Sequence, residues 1–297
     1  MYNGAFSPII QTPLSASGVD NLFVRQNSPM IFAGGTHIMR EVMNYPNVTV
    51  PEIVDIRGIM GMDKFVQTEK SIEIGAINTI ARVRELGESY FNDVIKACLA
   101  GGAPECVKRK ATIGGALVAD GVYYNLVAPL VHLGAMVEVH YYTEGETLVR
   151  VVPLSSIYDT RQPKLQYRTF ITRVIIPQDK KNDNQFYYYR ALGSPVSNPG
   201  ESMVFVGSLS NDSLTSVNIE ATILFSDIGF YTLGDKNQMF RVASITSFKE
   251  IQHLGEAFGK SISERFALSK TVPSAERIQK AVRIFEDFLL AVTERFL

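Results

Sequence analysis

The 297-residue sequence contains no tryptophan, only two cysteines and only four histidines. Two thiols, Cys98 and Cys106, cannot make the disulfide framework of a small secreted domain, and they fit a reducing, cytoplasmic setting. They also exclude an iron–sulfur cluster held by this chain alone, since such a centre ordinarily needs four thiolates. No pair of histidines stands at metal-ligand spacing with a cysteine or carboxylate, so no metal site is expected. Long apolar runs are missing as well, and residues 1–17 lack the basic and apolar stretches of a signal peptide; no membrane association is expected. Nor is there an excess of either charge: 29 basic and 30 acidic residues leave a formal net charge of −1, which gives a nucleic acid no electrostatic footprint.

What is present is enough apolar material for a core. Hydrophobic residues make up 46% of the chain, ordinary for a globular protein, and a prior of about 150 residues per domain suggests two domains. Met30-Ile31-Phe32 reads as a buried strand, followed by Gly34-Gly35-Thr36 and a helical face of Ile38, Met39, Val42 and Met43. Residues 53–56 and 72–76 read as strands. Asn78 and Thr79 can cap a helix over 80–86, and 91–100 reads as a helix ending at Gly101-Gly102. A short helix is expected over 126–133, and strands over 135–141 and 170–176, the latter closed by Pro177. The polar stretch 178–185 is the clearest linker, and the domain boundary is placed there. Beyond it, 203–209, 216–225 and 238–245 read as strands and 247–258 and 274–296 as helices. In the last helix Ser274 is the cap, and Ile278, Ala281, Val282, Phe285, Leu289, Val292 and Phe296 form one stripe.

Two glycine motifs carry the chemistry. Ala33-Gly34-Gly35-Thr36 lies between a strand and a helix, where main-chain N–H groups without a Cβ in the way can cradle a phosphate. Thr112-Ile113-Gly114-Gly115 is a second such segment. One Gly-Gly pair alone is more often a tight turn; two can hold a long pyrophosphate from both sides. Neither is a G-x-G-x-x-G fingerprint, and no Walker lysine follows a glycine loop.

In ordered fashion these motifs resemble the FAD-binding subunits of the xanthine dehydrogenase and carbon monoxide dehydrogenase group of molybdenum hydroxylases. IFAGGTHIM (31–39) is similar to their AGGTDL loop, IEIGAINTI (72–80) to an IGA segment, and ATIGGAL (111–117) to ATIGGNL. Residues 53–56, 130–139, 151–158 and 170–177 match further segments of the same flavin domain.

The resemblance implies an α/β (α+β) fold. Residues 1–177 would be a PCMH-type FAD-binding domain of two small subdomains, about 1–58 and 59–177. Residues 178–297 would be a C-terminal α+β domain with a three-stranded antiparallel sheet and helices. It implies FAD as cofactor, cradled by Ala33, Gly34, Gly35, Thr36 and His37 and approached by Thr112, Gly114 and Gly115 from the second subdomain. Asn125 falls at a usual aspartate, and Tyr188, after the linker, could lie against the flavin ring. The implied function is electron transfer from 2Fe-2S clusters through FAD to NAD or another acceptor. Separate subunits would hold the clusters and the molybdopterin, and no catalytic acid or base is named in this chain.

The sequence departs from the pattern at His37 (usually Asp), Ala116 (usually Asn or Asp), Gly121-Val122 (often Ser-Pro) and Asn125. At about 1 kcal/mol per lost side-chain hydrogen bond, three losses weaken binding roughly a hundredfold. A non-catalytic structural subunit with a degenerate flavin site is therefore an alternative, and a free-standing flavoprotein oxidoreductase is another. Elsewhere, Tyr123 and Tyr124 read either as cleft-filling or as surface residues. His132 reads as a core histidine, both cysteines as buried thiols, and Lys108-Arg109-Lys110 as a solvated basic loop.

Overall fold

The computed structural model describes residues 9–25, 29–38, 52–118, 125–143, 145–158, 168–178, 186–193, 201–213, 216–225, 229–233, 248–267 and 272–296. The first of its three sheets is parallel, with β1 (Ile9–Gln11), β3 (Glu52–Asp55) and β2 (Met30–Phe32) in that spatial order. Parallel neighbours cannot be joined by a tight hairpin. Helix α1 (Ala16–Arg25) occupies the connection between β1 and β2 and buries Val19 and Phe23.

The second sheet is antiparallel. Its members are β4 (Phe65–Gln67), β5 (Ser71–Gly75), β6 (Met136–Thr143), β7 (Glu146–Pro153) and β8 (Thr169–Pro177), in the order β4-β5-β8-β6-β7. Strand alternation puts Ile72, Ile74, Val137, Val139, Val174 and Ile176 into the core. On the other face Arg173 is held between Glu73 and Glu138. The core is completed by apolar residues of α2 (Ile80–Gly87), α3 (Asp93–Ala100), α5 (Ile113–Val118) and α6 (Val127–His132), with the short α4 (Glu105–Lys108) between them. The expected caps are in place: Thr79 Oγ1 accepts from Arg82 N at 3.2 Å, and Asn92 Oδ1 accepts from Ile95 N at 3.0 Å. Pro129 is tolerated because it sits in the first turn of α6.

A polar contact ties α1 to the second sheet. Asp20 on α1 bonds His140 Nε2 on β6 at 2.8 Å and accepts from Thr147 Oγ1 on β7 at 2.5 Å. Asp20 and His140 are both buried. Substituting Asp20→Ala leaves the imidazole without this acceptor, and urea denaturation is expected to show a loss of about 2 kcal/mol. An unchanged midpoint would mean that α1 is held by its apolar face alone.

The C-terminal sheet has four described strands rather than the expected three: β9 (Phe186–Leu192), β10 (Met203–Ser213), β11 (Ser216–Phe225) and β12 (Gly229–Leu233), in the order β12-β11-β10-β9. Two of the four were not expected: 186–192 pairs along β10 from Met203↔Leu192 to Leu209↔Phe186, and 229–233 pairs along β11 from Ala221↔Leu233 to Phe225↔Gly229. The strand expected at 238–245 lies outside the described residues. One face of this sheet, with Phe205 and Phe225, packs on Phe258 of α7 (Phe248–Phe266) and on Phe285 and Phe288 of α8 (Ala275–Phe296). Ser274 caps α8, accepting from Arg277 N at 3.3 Å. The other face, with Val204, Val206 and Leu224, joins the core of the preceding residues.

Candidate functional site

The first glycine motif leaves the carboxyl end of β2, at the edge of a parallel sheet where open α/β folds bind ligands. After Phe32 the chain turns through Ala33, Gly34 and Gly35, and helical geometry begins at Thr36. Gly35 has φ 71°, and a Cβ on it would come within 2.6 Å of the Phe32 ring. Above that ring sits Arg57, its guanidinium carbon 5.3 Å from the centroid. Arg57 in turn bonds Asp55, at the end of β3, at 2.6 Å. Burial pushes the Asp55 carboxyl up, but the hydrogen bonds and charge of Arg57 outweigh it and hold the carboxyl below its ordinary range. The turn therefore rests on an aromatic floor braced from the neighbouring strand.

Gly34 joins the two motifs. A Cβ there would lie 2.1 Å from the Lys110 carbonyl oxygen and 3.0 Å from Ala111 Cα. The AGGT turn thus lies directly on the backbone that leads into Thr112. Among the described residues, the N–H groups of Gly34 and Gly35 make no main-chain hydrogen bond.

The second motif is different in kind. It is not a loop but the first turn of α5, with Thr112 as its cap: Gly115 N donates to Thr112 Oγ1 at 3.2 Å. Ile113 N donates to Asn78 O and Gly114 N to Ala76 O, both at 2.9 Å. Gly114 is close enough to Ala76 that a Cβ would approach Ala76 Cβ to 2.8 Å. Thr112 and Gly114, expected at the ligand, are instead buried and engaged within the chain, because their polar groups knit α5 to the 76–80 stretch. Gly115 is exposed, so it is the member of this motif that an approaching ligand can reach. Ala116 is buried in the core. Gly121, Val122, Tyr123 and Tyr124 lie outside the described residues.

Tyr188 is not brought to the glycine motifs: it packs on Phe205 and Phe288, with ring centroids 6.1 and 5.8 Å away. Strand alternation turns its neighbours Tyr187 and Tyr189 toward the first domain instead. Burial pushes the Tyr189 phenol and the Cys98 thiol up. Asn125 has φ 56°. Of the basic run, Lys108 is buried and its ammonium bonds the Ala100 carbonyl at the end of α3, while Arg109 and Lys110 are exposed. Burial, and to a lesser degree Arg84, push the Lys108 pKa down. Cys106 is exposed, not buried.

Sequence reasoning missed the main-chain seat at Lys110-Ala111 and the Asp55–Arg57–Phe32 brace. The only local signal for either was an Asp-x-Arg that follows a strand. A cleft of about 420 Å³ opens elsewhere, between the start of α1, residues 59–62 and the charged face of the five-stranded sheet; no glycine-motif residue lines it.

Residues 5–179 match the family described as the FAD-binding domain in molybdopterin dehydrogenase. The chain belongs to that family. Its cofactor is accordingly FAD. The fold is similar to that of quinoline 2-oxidoreductase from Pseudomonas putida 86, with TM-score 0.70, 16% identity and 96% of each chain covered. It is equally similar to a carbon monoxide dehydrogenase from Hydrogenophaga pseudoflava lacking the Mo-pyranopterin moiety of its molybdenum cofactor, with TM-score 0.71, 14% identity and 97% and 98% covered. At such identities the likeness is one of fold. In sequence, the chain is 27% identical over 186 residues to probable aldehyde oxidase 4 of Oryza sativa subsp. japonica, covering 56% of this chain and 22% of that relative. It therefore spans about a fifth of the relative's length.

The glycine cradle suits this family's cofactor. No side chain intrudes at Gly34, the two glycine N–H groups make no main-chain bond among the described residues, and Gly115 presents bare backbone from α5. No described helix is long and apolar enough to cross a membrane.

Proposed function

We propose that this member of the FAD-binding family is the electron-transfer subunit of a molybdenum hydroxylase assembly. It would have a flavin domain at 1–177 and a C-terminal domain at 178–297. The observation that carries the reading is the seating of the AGGT turn on the Lys110-Ala111 backbone, which sets two glycine segments against each other as a dinucleotide requires. When bound, FAD supplies both one- and two-electron chemistry. The chain supplies position. Gly34 and Gly35 offer N–H groups to the pyrophosphate, Ala33, Thr36 and His37 flank them, and Gly115 lets the cofactor approach α5. Because the first turn's donors are main-chain groups, they survive the loss of polar side chains at His37 and Ala116. Partner subunits would hold the 2Fe-2S clusters and the molybdopterin, and NAD or another acceptor would take the electrons.

The test is a spectrum of the chain after incubation with FAD and desalting, followed by identification of copurifying proteins. Stoichiometric bound flavin together with a cysteine-rich partner is the expected result. Flavin that a small substrate reduces directly, with no partner, would instead identify a free-standing oxidoreductase. A colourless chain that keeps no FAD would identify a structural subunit.

A further inference from the structure

The basic run before the second glycine motif divides its charges. Lys108 turns inward, its ammonium bonding the Ala100 carbonyl at the end of α3. Helix α4 is held from another side by Arg84 of α2, which makes two bonds of 3.0 Å to Glu105. Lys110 follows α4 with its main chain fixed, since its N–H donates to Val107 O at 2.9 Å, and with its side chain exposed. Among the described residues, the ion pairs of this region join Arg84 to Glu105 and Arg57 to Asp55, and Lys110 takes part in neither.

Lys110 is also the residue at which the two glycine segments meet. A Cβ on Gly34 would stand 2.1 Å from Lys110 O, so bond lengths alone place Lys110 Cα within about 6 Å of Gly34 Cα. In the other direction the chain runs through Ala111 into the Thr112 cap and the exposed Gly115. The flexible four-carbon stem of a lysine spans a gap of that size. Main-chain N–H groups carry partial charges, whereas a pyrophosphate diester is doubly negative, so a full positive charge at this junction adds attraction that the glycines cannot supply. The other cation beside the AGGT turn, Arg57, is already bonded to Asp55 at 2.6 Å.

We propose that Lys110 is a cofactor-binding residue, whose ammonium supplies the counter-charge for the FAD pyrophosphate where the two glycine segments meet. This rests on the FAD-binding reading above for its ligand. The role is one of attraction alone, with no part in electron transfer. An exposed charge acts through solvent and is screened by salt, so the signature of this role is an ionic-strength dependence of FAD affinity.

The test uses the full chain with Lys110→Gln, Lys110→Glu and the charge-conserving Lys110→Arg. Lys260→Gln, at an exposed lysine of α7, is the control for a change in net charge. FAD affinity is measured by fluorescence titration at low and at high salt. For a double charge about 6 Å from the ammonium, Lys110→Gln is expected to weaken FAD binding roughly sevenfold at about 10 mM salt and less than about twofold at about 1 M. Lys110→Glu should double the effect in free energy, to roughly fiftyfold at low salt. Lys110→Arg and Lys260→Gln should bind as the wild type does at both salt concentrations. Melting temperatures should hardly move, because the bonds that fix Lys110 are main-chain bonds. Wild-type affinity in Lys110→Gln at low salt would overturn the proposal, as would a loss of the same size at both salt concentrations, which would report a structural change. A wild-type chain that binds no FAD at either salt concentration would instead remove the flavin reading, and this role with it.

Discussion

Replacing Gly34 with alanine is expected to cost about 3 kcal/mol or more of stability and to abolish FAD retention. The added Cβ would stand 2.1 Å from Lys110 O, 2.9 Å from Lys110 C and 3.0 Å from Ala111 Cα. All three are main-chain atoms and cannot rotate away. They are also pinned from behind: Lys110 N and Ala111 N both bond Val107 O, and Ala111 O accepts from Ile80 N at 2.8 Å. The only relief is separation of the two glycine segments, which dismantles the cradle. Gly115→Ala is the matched control. Its Cβ would meet only the Thr112 hydroxyl, at 2.9 Å, and a hydroxyl can turn aside. Losing that cap costs about 1 kcal/mol, offset by the better helix propensity of alanine. Thermal melts should therefore show Gly34→Ala crippled and Gly115→Ala near the wild type in stability, and a flavin titration should show no retention by Gly34→Ala. Equal damage in the two would mean that the AGGT turn does not rest on Lys110-Ala111 as described.

The first motif was legible because its signals are local. A strand, a glycine that must take positive φ and the start of a helix follow one another within a few residues, and Thr79, Asn92 and Ser274 announced their helices in the same way. The second motif was legible as a place but not as a structure. Its glycines look like a loop, yet the N–H groups of 113 and 114 bond to Asn78 O and Ala76 O. Those partners belong to a segment that reads, by itself, as a strand end and a cap. No local pattern states that the two will meet.

Strand parity explains why Tyr188 faces the helices of the C-terminal sheet. In Tyr187-Tyr188-Tyr189 each residue is chemically able to meet a flavin, and a shift of one residue reverses the face. The register Tyr188↔Gly207 and Tyr189↔Val206 decides which tyrosine looks where. That register depends on β10, beyond the segment in which the three tyrosines occur. The same limit hid the hydrogen bond between Asp20 and His140, whose partners are separated by 120 positions.

His132 places a measurable pH dependence at the junction between the flavin domain and the C-terminal sheet. Its ring nitrogens bond Ser208 Oγ and Thr222 Oγ1, and burial pushes its pKa from 6.5 down to about 4. Between those values the unfolded chain binds a proton that the folded chain refuses, so stability falls as pH falls. Above 6.5 the ring is neutral in both states and the full stability is present; below about 4 it is protonated in both, and this group takes nothing further. At about 1.4 kcal/mol per pH unit, the interval from 6.5 to about 4 corresponds to about 3 kcal/mol, of which about 2 kcal/mol is lost by pH 5. Urea midpoints at pH 7.5 and pH 5, compared between the wild type and His132→Leu, isolate this group from the other titrating residues. The variant should be less stable at pH 7.5 by about 2 kcal/mol, because Ser208 and the fully buried Thr222 lose their partner. It should also have lost most of the wild-type decline toward pH 5. A decline of the same size in both proteins would place the acid sensitivity elsewhere and would make His132 an indifferent neighbour of the two hydroxyls.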